Sequence, residues 1–171
     1  MKSIKVLKFL AIALLLVSVY SCLDDPIEEE PINYTPQREA ELLSVYLDTL
    51  IERGYDIDTT SMGVYYILEE EGEGEYIQYG DSIGIEYTGM RIDNGSVFDS
   101  SQFMEGGVWR FTFKEGNLID GFEEALMHLN KGAEGWFVIP SELAYGSAGY
   151  ATIPPYATLG FSIKLVDIYE E

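Results

Sequence analysis

Two hydrophobic periods run along this chain, and each predicts a different kind of element. Between residues 36 and 53, Leu42, Leu43, Tyr46, Leu47, Leu50 and Ile51 recur every three or four positions, the spacing of one helix face. Thr35-Pro36 supplies an N-cap and a first-turn proline, and Gly54 a stop. From residue 62 the period shortens. MGVYYIL (62–68) reads as a strand and EEEGEGE (69–75) as a solvated acidic turn at a hairpin end. SIGIEYT (82–88) alternates Ile83, Ile85 and Tyr87 against Gly84, Glu86 and Thr88, the pattern of a half-buried strand. Asp93-Asn94-Gly95 marks a turn, and SVFDSS (96–101) and VWRFTF (108–113) are short strands. Helical spacing returns once, over 119–129, through Ile119, Phe122, Leu126 and Leu129. Asp120 and Glu123 stand there at capping-box spacing, and Lys131-Gly132 ends the helix. Strands follow at 134–139 and 157–168, the second alternating Leu159, Phe161, Ile163 and Leu165 with polar or small residues.

The sum is an α+β domain, a twisted antiparallel sheet wrapped on one short helix and preceded by an amphipathic helix. One strand breaks the half-wetted pattern. Trp136 and Val138 face away from Phe137 and Ile139, so 134–139 is apolar on both sides, whereas an antiparallel sheet ordinarily wets its outer face. That second face is the expected dock for the stripe of the 36–53 helix. Self-association through the same stripe is the alternative.

The first residues have a different layout. Lys2, Lys5 and Lys8 precede an uncharged run, FLAIALLLVSVY, that is too short to span a bilayer comfortably and fits a signal peptide. Val19-Tyr20-Ser21-Cys22 resembles a bacterial lipobox, so residues 1–21 read as a lipoprotein signal with Cys22 as the lipidated residue. A plain secretory signal and an uncleaved anchor are the alternatives. Residues 22–34 carry two prolines and five acids and form a solvated tether. Residues 35–59 hold the amphipathic helix and a connector, and 60–171 the domain. The implied location is the bacterial cell envelope, lipid-anchored, with the outer membrane expected.

Composition narrows the chemistry. A net charge of −20 removes phosphate-tracking nucleic-acid binders, which need Lys and Arg. With one cysteine and one histidine, His128, there is no set of soft ligands for zinc or a transition metal. His128 reads as a surface residue on the polar side of its helix. No phosphate-cradling loop is present, so neither metal nor cofactor is expected. What stands out is AYGSAGYATIPPYATLGF (144–161), a loop with Tyr145, Tyr150, Ile153 and Tyr156 where water-facing residues are usual. It either folds over its own core or walls an apolar pocket.

IEYTGM (85–90), GSVFDSS (95–101), LIDGFEEAL (118–126), AYGSAG and IPPYATLGF occur in the order found in the FKBP-type peptidyl-prolyl cis-trans isomerases. The chain resembles that family over about residues 60–170, and further resembles the gliding-motility-associated isomerase lipoproteins of the Bacteroidetes. The resemblance implies an FKBP-like fold and a slot for a proline ring. Its walls would be Tyr87, Phe98, Trp109, Leu118, Ile119 and Phe161, with Phe111 also on the substrate side and Phe122 as the floor. Asp99 would sit at the rim beside the Tyr87 hydroxyl. Tyr145 would offer its hydroxyl, and Ile119 its N–H, to carbonyls of the bound peptide, while Tyr150 and Ile153 would cover the slot. Proline-containing polypeptides are the implied clients, and macrolide inhibitors become candidate ligands. Several residues depart from the family pattern: Phe122 replaces a frequent Trp, Trp109 a common Phe, and Tyr150 a commonly seen His, in a loop one residue shorter. These changes bear on macrolide affinity and on the preferred residue before proline. The leading function is an envelope prolyl isomerase. The alternative is a peptide-binding or chaperone module without turnover.

Overall fold

The structure is a computed structural model that describes residues 33–169. The expected leader, Cys22 and all of the linker but Asn33 and Tyr34 lie outside the described residues. Helix α1 spans Pro36–Glu52 and helix α2 Asp120–Met127. The strands are β1 (Asp58–Thr59), β2 (Tyr65–Glu70), β3 (Glu73–Tyr76), β4 (Ser82–Arg91), β5 (Val97–Ser100), β6 (Trp109–Thr112), β7 (Asn130–Lys131), β8 (Glu134–Ile139) and β9 (Leu159–Tyr169). Seven strands form one antiparallel sheet in the order β1-β2-β8-β9-β4-β5, with β6 on the remaining length of β4. The expected α+β arrangement is the observed one.

Strand β4 organises the sheet. Along one side it pairs with β9 from Ser82↔Tyr169 to Arg91↔Leu159. Along the other, β6 takes its first half and β5 its second, with Ile85↔Trp109 and Gly89↔Asp99 as partners. Ile83, Ile85, Ile163 and Leu165 are fully buried on the face toward α2. They meet Phe122, Ala125, Leu126 and Leu129 of α2 and the residues after it in one core. The period-two pattern therefore became strands because every second side chain of β4 and β9 has this helix to bury against.

The outer face of β8 is covered by α1. Thr35 caps that helix by accepting the Arg38 N–H at 3.2 Å. Leu50 is buried and Leu42, Leu43, Tyr46 and Leu47 are half-buried, while Ile51 is 59% exposed and leaves the predicted stripe. The Tyr46 side chain meets Trp136 of β8, and burial raises the Tyr46 pKa while the contact with Trp136 lowers it. A Cβ on Gly160 would lie 2.7 Å from Trp136 Cη2, so only glycine lets the indole lie flat on β9.

Three expectations need correction. The acidic stretch 69–75 is not merely a turn: Glu69 and Glu70 extend β2, and Glu73–Tyr76 pairs with Asn130–Lys131 in a separate two-stranded ribbon. The capping box at α2 does not form. Ile119 is the N-cap, without a side-chain bond. The Glu123 carboxylate reaches back instead, accepting the N–H groups of Gly116 at 3.2 Å and Leu118 at 3.0 Å and the Tyr79 hydroxyl at 3.1 Å. His128 is half-buried rather than on a polar surface, its ring 5.4 Å from that of Tyr66 and its Nδ1 2.9 Å from the Glu124 carbonyl oxygen.

Candidate functional site

Where β4, β5 and β6 diverge from the start of α2, a cavity of about 520 Å³ opens to solvent. Its apolar walls are Tyr87, Phe98, Met104, Trp109, Leu118, Ile119, Phe122 and Phe161, and Asp99, Asn117 and Tyr145 add polar groups. The rings form a box of edge contacts. Phe122 packs nearly perpendicular to Phe161 at 4.9 Å and to Tyr87 at 5.8 Å, and Phe98 meets Phe161 at 5.6 Å and 87°. Such edge-to-face pairs hold ring orientation as well as burying area. Phe122 is only 4% exposed.

Strand register sets these positions. Gly89 pairs with Phe161 on β9 and Asp99 on β5, so both cavity residues flank a position without a side chain. Two residues earlier, Tyr87 donates its hydroxyl to Asp99 Oδ2 at 2.8 Å. Asp99 Oδ1 accepts the Ser100 N–H at 2.9 Å. Asp99 pairs with no arginine among the described residues: Arg91 bonds Asp93, and Arg110 Nε donates to the Tyr169 hydroxyl at 3.0 Å. Burial, then the bond to Asp99 and its charge, pushes the Tyr87 pKa far above its ordinary value. Tyr145 is also pushed up, first by burial and then by Tyr150 and Asp99. Both tyrosines therefore stay protonated donors at neutral pH.

The Glu123 contacts hold residues 116–118 in place and leave the next N–H, that of Ile119, without an acceptor among the described residues. The Tyr145 hydroxyl likewise donates to no described group. Two unpaired donors thus border an aromatic box, an arrangement suited to carbonyls on either side of an apolar ring.

Not every predicted residue lies here. Phe111 stacks on Trp109 at 4.1 Å and pairs with Ile83, two positions before the Ile85 that pairs with Trp109, so it backs the wall without lining it. Tyr150 and Ile153 exchange backbone hydrogen bonds at 2.8 Å across a tight bridge and line a neighbouring concavity with Tyr34 and Arg91. Ile153 is 5% exposed and belongs to the core, while Tyr150 stacks on Tyr145 at 5.1 Å. Met104 and Asn117 were not foreseen. The apolar pair Phe103-Met104 between two strand motifs was the available signal for the first, and Asn117 had none.

Comparison with known proteins gives a consistent picture. Residues 73–166 match the family described as FKBP-type peptidyl-prolyl cis-trans isomerase. A probable FKBP-type peptidyl-prolyl cis-trans isomerase of Haemophilus influenzae is 39% identical over 117 residues, 68% of this chain and 47% of that protein. The FKBP-type peptidyl-prolyl cis-trans isomerase FkpA of Escherichia coli K12 is 38% identical over 66% of this chain and 40% of its own length. The chain thus spans less than half the length of these curated relatives. The crystal structure of FkpA from Escherichia coli superposes with a TM-score of 0.65 at 35% identity, covering 77% of this chain and 59% of that one. A peptidyl-prolyl cis-trans isomerase from Pseudomonas syringae, 22% identical, shares the fold with the same TM-score over 81% of this chain and 99% of its own.

Proposed function

Because the chain belongs to the FKBP-type peptidyl-prolyl cis-trans isomerases, we propose that it catalyses rotation about X–Pro bonds in polypeptide clients, using the cavity between β4 and α2. The observation that carries this reading is the aromatic box with Tyr87, Asp99, Tyr145 and Ile119 at its border. The barrier to rotation, about 18–20 kcal/mol, comes from amide resonance. A planar amide is strongly polar. At the twisted geometry the nitrogen lone pair is localised and charge separation falls. An apolar box therefore destabilises the planar form relative to the twisted one, which is differential binding of the transition state.

Each residue has a role in that scheme. Phe98, Trp109, Leu118, Phe122 and Phe161 receive the proline ring. The Ile119 N–H and the Tyr145 hydroxyl hold carbonyls that flank the rotating bond, and fixed donors of this kind need no reorganisation during the reaction. Asp99, held by Tyr87, places a carboxylate at the rim and tunes the electrostatics of the cavity. No step forms or breaks a covalent bond.

The place of action in this proposal is the bacterial cell envelope, through a lipid anchor at Cys22, supported by the basic and apolar leader and the lipobox-like run before it. Phe103, 89% exposed next to the cavity residue Met104, and Tyr150, 64% exposed, favour a second capacity, holding apolar client segments around the proline. The deciding experiment follows cis-to-trans conversion of short peptides that vary the residue before proline. Acceleration that falls in Tyr145→Phe and Asp99→Ala is expected. A folded chain that gives no acceleration would leave only the binding role.

A further inference from the structure

Glu39 lies on α1, outside the residues that match the family, yet it is tied to the loop that carries Tyr145. Its carboxylate accepts the Ser141 N–H and the Ser141 hydroxyl, each at 2.6 Å, and the Thr158 hydroxyl at 2.9 Å. Ser141 stands where the chain leaves β8 and Thr158 where it enters β9. Both are almost fully buried and Glu39 is half-buried, so these charge-assisted bonds are partly sheltered from water.

The link to the cavity runs through Ser141. Its carbonyl accepts the N–H groups of Ala144 at 2.9 Å and Gly146 at 2.8 Å, the residues on either side of Tyr145. From the other stem, Tyr156 donates its N–H to the Gly146 carbonyl at 2.9 Å. One carboxylate thus joins both stems, and the nearer stem fixes the backbone that carries the Tyr145 ring.

The geometry points to Glu39 as a positioning residue: α1, through this carboxylate, holds the 141–158 loop in the shape that presents Tyr145 to the cavity. A helix outside the matched segment thereby sets the activity of the domain it rests on. The inference depends on the isomerase reading for its effect on rate, but not for its effect on the loop.

The test uses the full chain and two readouts, peptide isomerisation and amide hydrogen exchange. Glu39→Ala removes all three acceptances. Glu39→Gln keeps an oxygen in the place of Oε1, which already takes two of them. Glu39→Ala should lower kcat/KM about tenfold, the effect of mispositioning one donor. Glu39→Gln should stay within about threefold of wild type, as a neutral acceptor retains most of the geometry. In a Tyr145→Phe background, Glu39→Ala should add less than about twofold, because the group it positions is gone. Gly146 and Gly149 amides should exchange about tenfold faster in Glu39→Ala, with Ile163 of β9 unchanged. Unchanged loop exchange would overturn the inference, as would a rate loss that adds in full to that of Tyr145→Phe. A wild-type chain without activity would sink the isomerase reading instead, and loop exchange would then decide the clamp alone.

Discussion

A Cβ on Gly89 would sit 2.6 Å from Phe161 Cε1 and 2.8 Å from Phe98 Cζ, so the smallest residue of β4 is what lets two cavity rings close on each other. Gly89→Ala should push both rings into the cavity, destabilise the fold by about 1–3 kcal/mol as overpacking does, and lower kcat/KM more than it lowers stability. Thermal melting beside the peptide assay checks this, and a variant that melts lower but turns over normally would place the rings elsewhere. Tyr87→Phe tests the neighbouring position. It keeps the ring contacts with Phe122 and Trp109 but leaves Asp99 Oδ2 without its hydroxyl donor. A bond to a charged group contributes about 1.5–3 kcal/mol, so a loss of stability of up to that size is expected, with a several-fold fall in kcat/KM. Residues of this kind were readable in sequence because aromatic types sat inside ordered motifs. Phe111 was misplaced because alternation shows which face a side chain takes, not how far along the strand the cavity ends. Ile153 was misplaced because a short loop with a tight bridge turns its aliphatic residue into the core.

At the scale of elements, legibility followed burial. Strands β4, β8 and β9 and both helices each bury a face, and their periods showed it. Strand β3 has four exposed residues and no apolar period, so only its pairing partner makes it a strand, and a partner far along the chain is invisible to local pattern. The bond network of Glu123 was missed for a related reason: capping-box spacing was present, but the loop before α2 offered the carboxylate nearer donors than the helix's own cap. Docking of α1 on β8 was anticipated from the doubly apolar strand. It predicts that Leu50→Ala, at the one buried position of α1, costs about 2–4 kcal/mol in urea unfolding, within the range for buried leucines. A change near zero would mean that α1 is held by Glu39 alone rather than by its apolar stripe.

For the whole molecule, the alkaline limb of stability is the most direct readout of how the site is built. The pKa values of Tyr46, Tyr66, Tyr79, Tyr87 and Tyr145 are all raised, each first by burial. In the unfolded chain their protons leave near pH 10, while the folded chain keeps them to higher pH. Below about pH 10 both states hold the protons and this contribution is complete. Above it the unfolded state binds fewer protons than the native one, so stability falls as pH rises through the folded values. The urea midpoint should therefore change little between about pH 8 and 9.5 and drop beyond about pH 10. Tyr87→Phe should flatten that drop, since its shift is the large one. Fixed ionic strength is needed, because a chain of net charge −20 also gains self-repulsion with every tyrosinate formed. Comparing wild type and variant at each pH cancels most of that common effect. Activity should persist over the same plateau, as both cavity tyrosines remain hydroxyl donors there. If Tyr87→Phe kept the full alkaline slope, the Tyr87 hydroxyl would be titrating as an ordinary phenol, and its bond to Asp99 could not be what sets the rim of the cavity.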